Sequence, residues 1–251
     1  MIPMLELRLA SACINGREVL AGIDLSLGAG EVLGIVGVNG AGKTTLLRAA
    51  VGLIRLSAGS AWISGRSLTG LSFAERAERV GFLAQDRSVG WNLPAWHVAA
   101  LGRPNLPLKS AQPIALAALE EVGLAALAHR GVLDMSGGER ARVLLARLLV
   151  TAAPLLIADE PAAGLDPDAQ LRIMDILAAR ARGGSGVILT LHDLTLAARY
   201  CDRVAVLSAG RLLALAPPRQ ALAAEVLRSA FALNGELIET GSGPVLAARR
   251  G

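Results

Sequence analysis

Aromatic side chains are scarce in this 251-residue chain: they form 3% of it, against 53% hydrophobic residues in all. The interior is therefore expected to be filled by Leu, Val, Ile and Ala. Cysteine is nearly absent, with only Cys13 and Cys201 and no Cys-x-x-Cys pair or Cys/His cluster. That argues against a structural zinc site, and both thiols are expected to be buried. Lysine is confined to Lys43 and Lys109, so the formal charge of +4 rests almost wholly on arginine. The arginines are spread out rather than blocked. Nucleic acid would call for a basic stripe with stacking aromatics, so a nucleic-acid partner is not expected. A mild attraction to an anionic membrane surface remains. Long apolar runs are missing too. Mean hydropathy is +0.50, yet no run reaches the roughly 18 residues that a spanning helix needs. The longest candidate, residues 148–158, contains Pro154. The first ten residues, MIPMLELRLA, lack the basic-then-apolar order of a secretory signal. A soluble intracellular chain follows as the expectation, long enough for one large α/β domain or two small ones.

What is present alternates between strand and helix. Residues 5–9, 19–27 and 32–36 read as strands, broken by Asn15-Gly16 and by residues 28–30. Residues 46–51 read as a helix, and 61–64 and 80–84 as further short strands. From 87 to 110 Trp91, Pro94, Trp96, Pro104 and Pro107 are expected to interrupt any regular element. Residues 113–121 and 123–129 read as helices. Strands return at 155–158, 187–191, 204–207 and 211–214. Between the first two of these, Asp166-Pro167 opens a helix that closes at Gly183-Gly184. This pattern predicts a mostly parallel sheet with helices on its faces and a helical insertion over 87–149. Residues 217–251 form a C-terminal appendix of weaker pattern.

The most specific motif is GVNGAGKT, residues 37–44, which matches G-x-x-x-x-G-K-[ST]. It follows an apolar strand and precedes a helix, as the motif requires. In Gly37, Val38, Asn39, Gly40, Ala41, Gly42, Lys43, Thr44 and Thr45 the bare backbone can turn amides inward around phosphate oxygens. Lys43 brings charge to the β and γ phosphates, and the Thr44 hydroxyl can ligand Mg2+. A chance match in a chain of this length arises on the order of one time in a hundred, and with so little lysine less often still.

Two other strand ends carry polar groups. LLIADEP, residues 155–161, places Asp159 and Glu160 at the carboxyl end of an apolar strand, the end that faces ligands in open α/β sheets. Asp159 would hold Mg2+ through water, and Glu160 would orient and deprotonate attacking water. Alone, the pair fits a solvated acidic turn better; beside a phosphate loop that reading becomes the weaker one. VILTLHD, residues 187–193, ends in His192, which can meet a γ-phosphate or the lytic water. The alternative there is a helix cap made by Asp193. His97 and His129 lack this setting. Gln85 ends a strand-like GFLAQ and offers an amide oxygen to Mg2+. Finally, Ser136, Gly137, Gly138 and Glu139 open an arginine-studded apolar run. Ser136 and Glu139 form a capping box, S-x-x-E. Glycine in a first turn costs about 1 kcal/mol against alanine, so the capping box does not account for Gly137 and Gly138.

Taken in order, GVNGAGKT, Gln85, MSGGE, ADEP, AGLD with Asp166, and LHD resemble the ATP-binding subunit of ABC transporters over residues 5–217. The resemblance implies a P-loop nucleotide-hydrolase α/β core (1–86 and 150–216) with a small antiparallel β subdomain, the helical insertion, and the appendix, all in one domain. It implies ATP and Mg2+, the latter on Thr44, Gln85 and Asp159. It assigns catalysis to Glu160, His192 and Lys43. Ser136, Gly137, Gly138 and Glu139 would contact the nucleotide of a second copy in a head-to-tail dimer, with Asp166 in the loop that crosses the interface. Integral-membrane subunits would be direct partners and a solute-binding protein an indirect one, with the chain peripheral on the cytoplasmic face of the inner membrane. Two departures stand out. Met135 and Glu139 replace the outer residues of the usual LSGGQ signature, and Cys13 and Ile14 occupy the region that normally supplies an adenine-stacking aromatic. The segment WHVAALGRPNLP, residues 96–107, is similar to importers of iron-siderophore, haem and vitamin B12 type, and fits a proline-broken loop with buried tryptophans as well. An exporter, a different substrate, or a non-transport regulatory ATPase are the competing classes.

Overall fold

The structure, a computed structural model, describes residues 2–251. Strands β1 (Leu5–Ile14) and β2 (Arg17–Leu27) pair antiparallel over the Asn15-Gly16 turn. Leu5 and Leu7 point inward, then Ala10 and Ala12 do. The change of phase falls at a bulge around Leu9, whose φ is 46°. A fully buried β3 (Val32–Val36) leads into α1 (Lys43–Ala50). β4 (Ala58–Ile63) and β5 (Arg66–Ser67) return to β1, giving an antiparallel sheet of order β2-β1-β4-β5. Next comes α2 (Phe73–Arg79), a helix outside the sequence expectation. Its signal is there, because Ser72 and Glu75 form a full capping box.

The second half supplies most of the main sheet. β6 (Val80–Leu83) is followed by α3 (Ala95–Ala100), α4 (Leu108–Glu121) and α5 (Gly137–Val150). Then come β7 (Leu155–Ala158), α6 (Pro167–Arg182), β8 (Gly186–Thr190), α7 (Leu194–Tyr200), β9 (Arg203–Ser208) and β10 (Arg211–Ala216). Helices α8 (Pro218–Ala221) and α9 (Ala224–Phe231) and the hairpin β11 (Leu233–Thr240) with β12 (Gly243–Arg250) close the chain. The six-stranded sheet has the order β10-β9-β3-β8-β7-β6, parallel except for β10.

Burial on both faces explains the continuous apolar runs of these strands. Val32, Val36, Leu156, Val187, Leu189, Val204 and Val206 join the core under α3 to α7. Their sequence neighbours Leu33, Ile35, Leu155, Ile157, Ile188, Ala205 and Leu207 face α1 and the antiparallel sheet. Because β3, β7 and β8 run parallel, their carboxyl ends open on one edge of the sheet, so the three motifs that follow them share one crevice.

Several local expectations need correction. The proline-rich stretch contains α3, which starts right after Pro94, where a missing amide costs nothing. Helix α4 begins at Leu108, not at Pro113, which lies inside it. The apolar stripe Ala111, Ala115, Ala118 and Leu119 is buried against α3 and α5, and this packing overrides the lost hydrogen bond. Residues 123–129 hold only a 3-10 turn at Ala125–Leu127. In the 96–107 segment Trp96 is half-buried and packs against the core, while Trp91, outside that segment, is 75% exposed. Cys13 is exposed as well, because it points away from the face of β1 that buries Ala12. Cys201 is buried as expected. A Cβ at Gly34 would lie 2.6 Å from the Cys201 sulfur, so the thiol fills the space left by a bare position in β3. Burial, aided by Asp202, pushes that thiol up to about 12.

Candidate functional site

The loop between β3 and α1 is held close to its neighbours. A side chain at Gly37 would bring Cβ within 2.2 Å of the Leu207 carbonyl oxygen, which restricts the position to glycine. Gly42 takes a left-handed φ of 102° and caps α1 without any side-chain cap. The first amides of α1 are therefore left for an outside acceptor. Lys43 is 7% exposed, and its Nζ donates to the carbonyls of Gly37 at 2.8 Å and Val38 at 3.3 Å. Burial pulls its ammonium below the ordinary lysine value, with Glu160 and Asp159 opposing.

Across the crevice, β7 delivers two carboxylates to different places. Asp159 is 1% exposed. Its Oδ1 accepts from the Thr190 hydroxyl at 2.7 Å, and its Oδ2 is buried with no partner. An unpaired buried carboxylate oxygen is costly, and it is the kind of donor a hard cation takes. Among the described residues no group of three His, Cys, Asp or Glu side chains could hold a metal alone. A cation here would need Thr44, Gln85 and the phosphates of a nucleotide as well, the usual arrangement for Mg2+. The residues present fit that role.

Glu160 sits at φ 52°, a left-handed conformation that costs a non-glycine residue about 1–3 kcal/mol. Its amide donates to Thr190 Oγ1 at 2.8 Å. Its Oε1 is hydrogen-bonded to Nε2 of His192. The carboxylate is mostly buried and the imidazole half exposed. Thus Glu160 and His192 form a pair, where the sequence offered separate motifs. Asp193 does cap α7, accepting from the amides of Thr195 and Leu196. The cap and a histidine at the cleft coexist.

Val19, residues 39–45, Gln85, Glu160 and His192 line a cleft of about 530 Å³. The structure therefore gathers the phosphate loop, Gln85, Glu160 and His192, with Asp159 beneath. It does not bring in Ser136, Gly137, Gly138, Glu139 or Asp166, which are absent from the cleft lining. Ser136 and Glu139 make the full capping box of α5, with bonds of 2.7 and 3.2 Å. That hydrogen bond from the Ser136 amide, more than any nearby charge, holds the Glu139 carboxyl below the usual glutamate value. A Cβ at Gly137 would meet nothing within 4 Å, and one at Gly138 only the end of Leu165 at 3.2 Å. Packing within the chain accordingly does not require glycine at 137. Asp166 caps α6, accepting from Ala169 at 2.9 Å.

Three contributors escaped the sequence reading. Thr190 bonds both acidic residues, and its signal was a lone hydroxyl in the apolar run VILTL. Val19 forms the cleft wall beside the phosphate loop. Arg87 reaches the turn after β7, and nothing in the sequence marks it out.

Comparison with known proteins agrees with this geometry. A family model described as ABC transporter matches residues 20–163. A hemin import ATP-binding protein of Pseudomonas fluorescens is 42% identical over 228 residues, covering 87% of this chain and 89% of that protein. A cobalamin import ATP-binding protein of Halobacterium salinarum is 38% identical over 223 residues, covering 87% of this chain. The chain spans only 56% of that longer relative. In fold, a metal-chelate type ABC transporter in an inward-facing conformation superposes with a TM-score of 0.83 at 21% identity, over 98% of this chain and 97% of that one. With the motifs, the crevice and these relatives in agreement, the chain belongs to the ABC transporter family.

Proposed function

We propose that the chain is the ATP-hydrolysing subunit of an importer for an iron-siderophore, haem or corrinoid type chelate. The observation that carries the ATPase part is the cleft itself. It joins a phosphate-binding loop, a buried carboxylate with one free oxygen, and a Glu160–His192 pair on one wall. The phosphate loop would hold the β and γ phosphates, with the Lys43 ammonium released from its own loop carbonyls to meet them. Thr44, Gln85 and Asp159 would hold Mg2+, which when bound offsets phosphate charge. Glu160 would accept the proton of a water aligned with the γ-phosphate, and His192, bonded to it, would fix the carboxylate and reach the transferring group.

A second copy in head-to-tail arrangement would complete each site. Ser136, Gly137, Gly138 and Glu139 would meet the nucleotide of the partner, and Asp166 would lie in the crossing loop. Two facts favour this. Gly137 has open space that its own chain does not fill, and Gly138 lies against Leu165, next to Asp166, so both segments share a surface. Such pairing would close on ATP and reopen after hydrolysis. Integral-membrane subunits would dock on the 85–107 segment, beside a groove of about 560 Å³ walled by Phe82, Leu101, Arg103, Leu106 and Arg147. Among the described residues no helix is long and apolar enough to cross a membrane. Docked on those subunits, the chain would act peripherally on the cytoplasmic face of the inner membrane, and meet a solute-binding protein only through them. The haem and corrinoid class rests on the named relatives.

The test is Mg2+-dependent ATPase activity with a cooperative dependence on ATP, together with co-purification with a multi-span membrane protein. Phosphate release that is linear in ATP at low concentration, with no such partner retained, would remove the transporter reading.

A further inference from the structure

Gln85 and Arg87 stand two residues apart and serve different neighbours. Gln85 lines the nucleotide cleft. Arg87 instead runs under the turn that follows β7. Its Nη1 donates to the Ala163 carbonyl at 2.7 Å, and its Nη2 to the Glu160 carbonyl at 2.8 Å, with a longer 3.5 Å contact to the Pro161 carbonyl. Between Gln85 and Arg87, the Asp86 carboxylate accepts from the Ser88 amide at 2.9 Å and from its hydroxyl at 3.0 Å, which braces the bend. The turn that Arg87 grips contains Glu160 in its left-handed conformation. The same turn is closed by only one main-chain bond of its own, from the Ala163 amide to the Glu160 carbonyl at 3.2 Å.

We propose that Arg87 is a positioning residue for ATP hydrolysis, a fork that holds the Glu160 main chain in place and ties it to the Gln85 segment. This rests on the ATPase reading above. The planar guanidinium presents two separate donors, so it can satisfy Glu160 and Ala163 carbonyls together; an ammonium, a single point, serves that geometry poorly. With the fork in place, the Glu160 carboxylate keeps its bond to His192 at the cleft wall. Any displacement of the Gln85 segment by a bound partner then moves the Glu160 turn with it, because the two are joined by bonds of 2.7 and 2.8 Å. Arg87 itself is absent from the residues lining the cleft. Its loss should therefore act on turnover and spare nucleotide binding.

The experiment compares Arg87→Ala, Arg87→Lys and the parent, each with its membrane subunit. In Arg87→Ala, kcat should fall by about 10- to 100-fold, the scale of a small misplacement of a reacting group, while KM for ATP stays within about threefold. Arg87→Lys should regain part of the lost kcat, because one carbonyl is again satisfied. Amide hydrogen exchange over residues 160–164, which needs no turnover, should speed up in Arg87→Ala and not elsewhere in the core. A kcat in Arg87→Ala within about twofold of the parent overturns the proposal, as does a loss of ATP binding that matches the loss of kcat. Unchanged exchange over 160–164 overturns it independently of any activity. A parent that hydrolyses no ATP sinks the ATPase reading instead, and leaves the exchange measurement to decide the fork.

Discussion

The phosphate-loop cleft and the start of α5 are both helix N-termini next to glycines, yet they are finished differently. At the cleft the chain builds walls around the loop: Lys43 bonds the loop carbonyls, Val19 walls it, and Glu160 and His192 stand opposite. At α5 the chain supplies a capping box and then stops, leaving open space at Gly137. The difference separates a cleft whose walls this chain builds from a helix start beside which it leaves open space. In the first, removing a side chain breaks contacts already present. In the second, an added side chain meets no neighbour within the chain, so a loss of activity without a loss of stability would support the proposed contact with a second copy.

The strongest way to sharpen this contrast is Glu160→Gln. It keeps the shape of the cleft but removes the carboxylate proposed to accept the water's proton. ATPase activity should fall by about 100-fold or more while ATP binding is retained, as read by single-turnover assay and nucleotide titration. Next comes Gly137→Arg. The monomer should fold with a melting temperature within a few degrees of the parent, because nothing lies near that position and the gain in helix propensity is opposed by a cation at the helix N-terminus. Cooperative ATPase activity should nonetheless drop by roughly tenfold or more, since removing one contact made only in the assembled site costs on that scale. Full cooperative activity in that variant would break the comparison outright.

Smaller effects test the walls. Among the described residues no Phe, Tyr or Trp lines the cleft. ATP and GTP should then differ in KM by less than about tenfold, because the lining groups gather at the phosphate loop, whose ligands the two nucleotides share. A larger preference, measured by parallel kinetics, would mean that another part of the surface reads the base. Smallest is Glu139→Ala, which removes one arm of the α5 capping box. It should cost about 1 kcal/mol of stability by denaturant titration. The Glu139 carboxyl is held below its ordinary value, so its contribution is present above the glutamate range and fades as pH falls through it. The parent should lose this difference from Glu139→Ala in acid.

Legibility followed locality. The phosphate loop, the acidic pair and the LHD strand end are contiguous motifs, and the parallel order of β3, β7 and β8 carried them to one edge. Helix α6 could be read to its ends because Asp166-Pro167 and Gly183 punctuate it. Helix α4 could not, because buried alanines outweighed Pro113. Arg87 was invisible for a different reason. Its acceptors lie 73 and 76 residues away and are main-chain carbonyls, which leave no mark in a sequence. Likewise, the open space beside Gly137 is a property of what surrounds it, though the glycine pair itself was plain to see.

The two cysteines offer a practical handle. Cys201, sealed against Gly34 and held protonated, is sheltered from maleimides and mild oxidants, whereas Cys13 stands in solvent on the β1–β2 hairpin. A thiol-reactive fluorophore should thus mark Cys13 and spare Cys201, placing a label on the hairpin whose second strand contributes Val19 to the cleft without any engineered cysteine.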